Sequence, residues 1–484
     1  GCDLVDTYRA AVRAAEWVRS HRAPALLHLR MVRLLGHAGS DAEVGYRTRA
    51  EITADYQRDP LLRTAEILVA SGTVTPEDVI ERYEAMRAEV AKAAEEVVDE
   101  PGLGDAAQVM APLAPRHPHL VSRGAARTAD AEARRAAFGD RLPEQEGPLT
   151  LAQSINRALV DLCASRPEVM VFGEDVARKG GVYGVTRGLQ RRFGGARVFD
   201  TPLDEQSILG LALGAGLSGL LPVPEIQYLA YLHNAEDQLR GEAATLRFFS
   251  QGRYRNPMVV RVAGLAYQKG FGGHFHNDNS VAVLRDIPGL VVAAPARPDD
   301  AAAMLRTCVA AAESDGSVCV FLEPIALYHT RDLHAEGDEG WLAPYPPPVA
   351  PHVPVGTGRV YGDGSDLTLV TFGNGVRMSL RVARRLAAGG VRARVLDLRW
   401  LAPLPVADLL READATGRVL VVDETRRAGG VSEGLLAALA DAGFAGRAAR
   451  VTSEDSFIPL GPAAQHVLLS EADIEQAAGL LLQP

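Results

Sequence analysis

The stretch RVFDTPLDEQSILGLALGAGLSGLLPVPEIQ, residues 197–227, decides the fold. Its two apolar ends, RVFDTP and PVPEIQ, have the length of buried strands, and the small apolar residues at 205–219 predict a helix between them. A helix that joins two consecutive buried strands is typical of a βαβ unit, in which the strands are parallel. The sequence therefore indicates the α/β fold class.

The same alternation extends in both directions from this stretch. A predicted helix at 151–165 and the strand VMVFG precede it, and a predicted helix at 234–250 and the strand PMVVRV follow it. A second alternating block begins near residue 365, beyond the proline-rich stretch at 343–354. The sequence thus predicts two α/β domains behind a partial N-terminal region.

The N-terminal region contains predicted helices at 3–20 and 76–98, with Thr75 as the N-cap and Pro76 as the first helical residue of the second. Between them, PALLHLRMVRLL predicts a strand. Residues 99–148 carry repeated Pro, Gly, Ala and Arg with little periodicity, so we expect a linker with a short helix near 128–138. Because the sequence opens at Gly1 without a methionine, we also expect it to continue a longer polypeptide.

Composition limits the possible partners. The 484 residues carry a formal net charge of −10, which argues against broad electrostatic binding of nucleic acid or an anionic membrane. The apolar run ILGLALGAGLSGLL stops at 14 residues, whereas a membrane span needs about 18. The four cysteines lie far apart and form no CxxC pair, which argues against a disulfide framework or a zinc ribbon and favours a cytoplasmic location.

Glu205 is the most unusual acid, because it opens a predicted helix whose next turns are almost wholly apolar. Such a glutamate is a candidate for proton exchange, or it is an ordinary N-terminal helix charge partly in solvent. Tyr228 and Tyr231 follow a predicted strand in EIQYLAY, residues 225–231. They can stack on a flat ligand, or they can simply pack in the core.

The loop GFGGHFHNDNS, residues 270–280, places His274 and His276 after a run of glycines. It has three interpretations: a metal site, a catalytic histidine or a polar loop. No partner His, Cys or Glu stands at a diagnostic metal-binding spacing. The glycines at 270–273 and in GGVYG, residues 180–184, can cradle phosphate, although neither matches a known phosphate-binding fingerprint.

Taken together, these motifs resemble the first, decarboxylating component of the 2-oxo acid dehydrogenase complexes, a thiamine diphosphate enzyme. The stretch from FGEDVARKGGVYG through EIQYLAY is similar to that family's β subunit almost without gaps, and EAATLRFFSQG, IPGLVVAAPARPDDA and VFLEP continue the likeness. In the first hundred residues, GHAGSDAEVGYRTRAEI is similar to the histidine loop of the α subunit. The chain thus resembles the end of an α subunit fused to a complete β subunit.

The resemblance implies a thiamine diphosphate-binding, transketolase-like fold. Residues 1–98 would be the C-terminal piece of the α-type diphosphate-binding domain, 99–148 a linker, 149–335 the parallel-sheet pyrimidine-binding domain and 355–484 a transketolase C-terminal-like α/β domain. The chain has no Gly-Asp-Gly followed by Asn at about 25–30 residues, the family's motif for Mg²⁺ and the diphosphate. We therefore expect the Mg²⁺ ligands to lie outside this chain, which would itself contribute no metal ligand.

The resemblance also implies roles for particular residues. Glu205 would contact the aminopyrimidine ring and relay a proton, while Leu203, Gln227 and Tyr231 would line that ring. His276 would orient the substrate carboxylate and assist acyl transfer; its eleven-residue distance to Ile287 agrees with the family pattern. His37 matches the α-type loop histidine near the diphosphate. Ala38 and Gly45 stand where mammalian relatives have phosphorylated serines, so regulation by that route is not expected.

The implied activity is oxidative decarboxylation of a 2-oxo acid with acyl transfer to lipoamide, together with a lipoylated acyltransferase partner and a homodimeric or α2β2-like assembly. Gln206 and Gln227 favour the branched-chain enzyme acting on 3-methyl-2-oxobutanoate, and a pyruvate or acetoin dehydrogenase-type component is the alternative. Relatives usually have His-Ser-Gln where this chain has His-Asn-Asp at 276–278, preceded by His274. A transketolase or deoxyxylulose-phosphate synthase is a further alternative, and a non-catalytic scaffold is one from another class.

Overall fold

The computed structural model describes residues 1–113, 117–265 and 274–483, and of His274 it describes the backbone alone. The chain divides into two compact units, residues 1–104 and 105–484. The glycines at 270–273, considered above for phosphate binding, lie outside the described residues, as does the side chain of His274.

The first unit consists of helices. They are α1 (Leu4–His21), α2 (Arg49–Tyr56), α3 (Pro60–Ala70) and α4 (Pro76–Val98), with a short 3₁₀ segment at Glu43–Gly45. Both predicted helices are confirmed, and so is the start of α4, where Thr75 and Asp78 form a reciprocal capping box ahead of Pro76. The predicted strand in PALLHLRMVRLL is wrong: residues 24–33 have no regular structure, and residues 1–104 contain no second strand to pair with.

The second unit contains thirteen helices and twelve strands among its described residues. The helices are α5 (Ala106–Met110), α6 (Pro118–Ala125), α7 (Ala131–Phe138), α8 (Leu151–Ser165), α9 (Leu189–Phe193), α10 (Glu205–Leu217), α11 (Ala244–Phe249), α12 (Ala282–Asp286), α13 (Pro298–Asp315), α14 (Asn374–Ala388), α15 (Val406–Thr416), α16 (Val431–Asp441) and α17 (Glu471–Leu482). The strands are β1 (Val169–Gly173), β2 (Val198–Asp200), β3 (Leu221–Ile226), β4 (Met258–Gly264), β5 (Val291–Ala293), β6 (Val318–Pro324), β7 (Arg359–Tyr361), β8 (Leu367–Thr371), β9 (Ala393–Asp397), β10 (Trp400–Ala402), β11 (Arg418–Arg426) and β12 (Arg447–Ser453).

Residues 105–148 differ from the predicted linker, because they fold onto the second unit. Val121 and Ala125 of α6 are buried, and the backbone of Gly124 lies so close to α13 that an added Cβ would be 3.0 Å from the Cβ of Ala310. In α7, the Arg134 guanidinium donates to the Asp161 carboxylate at 2.8 Å. The short helix expected near 128–138 is α7. The composition of the segment did not predict this packing, because only a few of its apolar residues face the core.

The first sheet has the order β10-β5-β6-β4-β3-β1-β2 and is parallel except for β10, which pairs antiparallel with β5. Its central strands β3, β4 and β6 are buried along their whole length, as expected for a parallel sheet covered on both faces. The second sheet has the order β12-β11-β8-β9-β7, with only β7 antiparallel. This arrangement confirms the predicted α/β class, with two sheets that are each mostly parallel. The strand β10 was not foreseen: it comes from the C-terminal half of the chain yet closes the first sheet.

The predicted helix at 234–250 is irregular. A 3₁₀ segment covers Leu229–Ala235, a π-helical turn covers Gln238–Ala243, and α11 completes the run. Further short 3₁₀ segments are Pro143–Gln145, His274–His276, Ile325–Leu327 and Gly461–His466. A π turn often marks a functional region, because the extra residue redirects the neighbouring side chains. The segment at 229–235 is the one that carries Tyr231.

Candidate active site

The carboxyl ends of β1, β2 and β3 form the crevice in which a ligand is expected. β2 lies on one side of β1 and β3 on the other, so the strand order reverses at β1. In open α/β sheets, ligands bind outside the carboxyl ends of the strands at such a reversal. Glu174 follows β1, Glu205 lies beyond β2, and Gln227 follows β3.

Glu205 is the first residue of α10 and its side chain is nearly buried. The Asn234 side-chain amide donates a hydrogen bond to its Oε2 at 3.2 Å. The positive end of the helix dipole favours a carboxylate at this position. The start of α10 therefore places one carboxylate, held by Asn234, at the crevice.

Glu174 is a second buried carboxyl at this crevice, and sequence reasoning missed it. Burial, together with the nearby carboxylates of Glu205, Asp175 and Glu225, raises the pKa of Glu174 to about 7. A carboxyl with such a pKa can accept or release a proton near neutral pH. A sequence signal was present, because Glu174 immediately follows the buried run VMVFG at the carboxyl end of a strand.

A buried ionic network lies on the neighbouring strands. The Arg261 guanidinium on β4 donates to the carboxylate of Glu225 on β3 at 2.7 Å and to that of Glu323 on β6 at 2.7 and 2.9 Å. The Tyr328 hydroxyl donates to Glu323 at 2.6 Å. Burial raises the pKa of Glu225 even though Arg261 opposes this shift. The network fixes the ends of three strands next to Glu174.

His276 lies against two tyrosines. The Tyr231 hydroxyl is 3.3 Å from His276 Nε2, and the Tyr228 ring stands edge-on to the imidazole with ring centroids 4.6 Å apart and planes at 88°. Burial, followed by the charges of Tyr228, Glu174 and Glu205, raises the pKa of Tyr231. The segment at 229–235 therefore contacts Glu205 through Asn234 and His276 through Tyr231.

The other predicted site residues, Gln227, Leu203 and His37, make none of the contacts described above. Gln227 is half-buried directly after β3, whereas Leu203 is 82% exposed just ahead of α10. His37 belongs to the first unit, where its backbone N–H donates to Asp41 at 2.6 Å. In the GGVYG turn, a Cβ on Gly180 would lie 2.5 Å from the Arg187 Cα, so this glycine allows close backbone packing.

The described residues fit the pyrimidine half of thiamine diphosphate. They offer an aromatic wall, two carboxyls that can share a proton with a ring nitrogen, and a half-buried amide at Gln227. Among the described residues, no group of three or more His, Cys, Asp and Glu side chains is arranged to hold a metal ion. The same part of the chain includes no helix that is both long and apolar enough to cross a membrane.

Three family models match the chain. The model described as the pyrimidine-binding domain of transketolase matches residues 148–329, and that of the transketolase C-terminal domain matches residues 356–477. The model described as the dehydrogenase E1 component matches residues 1–104. A solved structure named as a split-gene transketolase, an inactive β4 tetramer, has the same fold with a TM-score of 0.55 at 20% identity, over 69% of this chain and 99% of its own.

Two bacterial relatives are similar over the β-type part. The β subunit of the pyruvate dehydrogenase E1 component of Bacillus subtilis is 33% identical over 343 residues, 69% of this chain and 99% of the relative. Its counterpart in Staphylococcus epidermidis is 36% identical over 342 residues, 69% of this chain and 98% of the relative. The chain belongs to the family of E1 components of 2-oxo acid dehydrogenases, with an α-type piece ahead of the β-type domains. Thiamine diphosphate is the cofactor of this family.

Proposed function

We propose that this chain carries out the thiamine diphosphate-dependent oxidative decarboxylation of a 2-oxo acid and passes the acyl group to a lipoylated acyltransferase partner. The observation that supports this most directly is the pairing of two buried carboxyls, Glu174 and Glu205, at the crevice that also contains Tyr231 and His276. A non-catalytic scaffold would not need a carboxyl with a pKa near neutrality beside a glutamate at the first position of a helix.

Each residue of the crevice has a proposed role. Glu205 binds the aminopyrimidine ring and moves a proton at a ring nitrogen, and Glu174 takes up or supplies that proton. Leu203, Gln227 and Tyr231 line the ring. When bound, the cofactor supplies a nucleophilic carbon and an electron sink for decarboxylation.

His276 orients the carboxylate of the 2-oxo acid and assists acyl transfer, with Tyr231 holding its imidazole. His37 acts at the diphosphate end. Mg²⁺ requires oxygen ligands, which we place in sequence other than this chain. The complete enzyme is then a dimer of such chains or an α2β2-like assembly, and a fully active monomer would contradict this.

The substrate that we propose first is pyruvate, because the named relatives are pyruvate dehydrogenase β subunits. Gln206 and Gln227, in TPLDEQSI and EIQYLAY, favour 3-methyl-2-oxobutanoate as the second candidate. A panel of 2-oxo acids with a dye acceptor, run on the complete protein, distinguishes the two by the ratio of their kcat/KM values. Turnover of branched-chain substrates alone would reject pyruvate.

The experiment that tests the proposed function is Glu205→Gln, with Glu471→Gln as a matched control at the first position of another helix, α17. We expect Glu205→Gln to slow hydrogen exchange at C2 of the bound cofactor by about 10²–10⁴-fold, the usual contribution of a proton-transfer group. The control should leave exchange unchanged. Normal exchange in Glu205→Gln, or a complete protein that binds neither thiamine diphosphate nor Mg²⁺, would support the scaffold alternative.

A further inference from the structure

The residues that follow His276 are polar and largely buried, and the structure gives them specific contacts. After the 3₁₀ turn at His274–His276, the chain runs through Asn277–Ser280 into α12. Asn277 and Asn279 are buried, and the Asp278 side chain is 10% exposed. A polar run that is buried to this degree needs hydrogen-bonding or ionic partners. The Asp278 carboxylate has four such contacts, with three residues.

The Asp278 carboxylate joins three parts of the second unit. Its Oδ1 accepts from the Arg426 guanidinium, at the end of β11, at 3.2 Å, and its Oδ2 lies 3.6 Å from His233 Nε2. Ser280 donates from its backbone N–H at 3.1 Å and from its hydroxyl at 2.8 Å. The loop that carries His276 is therefore held to both sheet domains through one side chain.

Each partner of Asp278 is itself held in place. His233 belongs to the segment at 229–235, between Tyr231 and Asn234, and its Nδ1 lies 3.7 Å from Glu236. Arg426 also donates to the Ser456 carbonyl at 3.1 Å and covers the Phe457 ring. One residue farther along the loop, Asn279 donates to the Glu424 carbonyl at 2.6 Å. Asp278 thus connects His233 and Arg426, which both have further contacts of their own.

We propose that Asp278 is the positioning residue of the His276 loop: its carboxylate ties the loop to His233 on one side and to Arg426 on the other, and so sets the imidazole against Tyr231. The role of the positioned imidazole rests on the function proposed above; the anchoring itself does not. A neutral amide in place of the carboxylate would leave Arg426 and His233 facing each other without an anion between them.

The charge states agree with this arrangement. Burial raises the pKa of Asp278, but the ionic contact with His233, the hydrogen bonds from Ser280 and the charge of Arg426 outweigh burial and leave its pKa below the usual value. The Asp278 carboxylate in turn is the main cause that raises the pKa of His233, with Glu236 contributing less. Near neutral pH the loop is therefore anchored by an ionised carboxylate.

The first test measures anchoring without any cofactor. In the complete protein, Asp278→Asn should raise the amide hydrogen exchange of a peptide covering 274–282 while peptides from β4 and β6 keep the wild-type rate. Glu313→Gln is the matched control, because Glu313 also joins two cations, Arg166 at 2.9 Å and Arg127 at 2.6 Å, but lies on α13. Unchanged exchange at 274–282 in Asp278→Asn would overturn the proposal.

The second test measures positioning through a double-mutant cycle with His276→Ala. Asp278→Asn alone should lower kcat with the dye acceptor by up to about 10²-fold, the cost of a small misplacement of a reacting group, and Asp278→Glu should recover part of it. Exchange at C2 of the bound cofactor, which depends on Glu205, should stay at the wild-type rate. In the His276→Ala background, Asp278→Asn should cause no further loss.

Two results of the cycle would overturn positioning: additive losses in the double variant, or a C2 exchange rate that falls as much as turnover does. If the wild-type protein shows no turnover with any 2-oxo acid, the proposed function fails, whereas the hydrogen-exchange experiment still decides whether Asp278 anchors the loop.

Discussion

The two units of this chain differ in how they use their apolar residues. In residues 105–484, parallel strands and the helices that cover them bury large hydrophobic clusters, one with Trp341 and Trp400 and another with Phe172. In residues 1–104, no residue is buried, although α4 carries Ile80, Tyr83 and other large apolar side chains. Because most helical stability comes from packing an apolar face, the helices of the first unit gain little of this stability within residues 1–104.

The same contrast applies to charge. Arg261 is buried between Glu225 and Glu323, whereas Arg63 of the first unit pairs with Glu66 at 2.5 Å while its side chain stays 47% exposed. Removing a buried cation while its anionic partners remain is strongly destabilising, whereas an exposed ion pair contributes little to stability. Removing a charged side chain should therefore lower stability much more in the second unit than in the first.

The largest effect is expected for Arg261→Met, which leaves two buried glutamates without their cation. We expect a loss of about 3–5 kcal/mol in the stability of the second unit. Tryptophan fluorescence during urea unfolding measures this, because Trp341 and Trp400 are fully buried in that unit. Arg63→Met is the control, with an expected change below about 0.5 kcal/mol. Similar losses in the two variants would contradict the contrast.

Some of this organisation was predictable from the sequence. The apolar runs of β1, β3 and β4, the N-cap of α4 and the position of Glu205 at the start of α10 all follow from local patterns. Those patterns act over a few residues, and tertiary packing reinforced them in the second unit. The fold class could therefore be predicted from the sequence.

The rest depends on contacts between residues far apart in sequence. Arg261 and Glu225 appear as isolated charges inside apolar runs, and only the pairing of β3 with β4 brings them together. The pKa of Glu174 is raised partly because Glu205, 31 residues away in sequence, lies at the same crevice. The prediction of a strand near residue 24 is wrong for the opposite reason. The apolar pattern is present, but residues 1–104 contain no strand with which this segment could pair.

An intermediate effect is expected from pH. Burial raises the pKa of Asp397, at the end of β9, to about 7, with nearby Asp300 adding to the shift. Folded Asp397 thus binds a proton that the unfolded chain loses near pH 4, so its contribution to stability is full below about pH 4 and is lost as pH rises through about 7. The loss should be on the order of 4 kcal/mol.

The measurement compares urea unfolding of the wild type and Asp397→Asn at several pH values. The variant should lack the share of the decline between pH 4 and pH 7 that comes from Asp397, while its amide oxygen can still accept from the Arg399 backbone N–H. In the first unit the sign is reversed: the His37 N–H and the Tyr46 hydroxyl hold the pKa of Asp41 below its usual value, so that contribution is lost as pH falls. Equal pH dependence in wild type and variant would contradict the assignment to Asp397.

The smallest effect is expected in α4. Tyr83 and Val90 are each 67% exposed, so Tyr83→Ala and Val90→Ala should change the stability of the helix by less than about 0.5 kcal/mol, measured by amide hydrogen exchange of peptides from 76–98. Leu159→Ala in α8, which is fully buried, is the counterpart and should cost about 3 kcal/mol. A large loss from Tyr83→Ala in this chain would break the contrast between the units. A loss that appears only in the complete, assembled protein would sharpen it, because the apolar face of α4 would then be buried by a surface that assembly supplies.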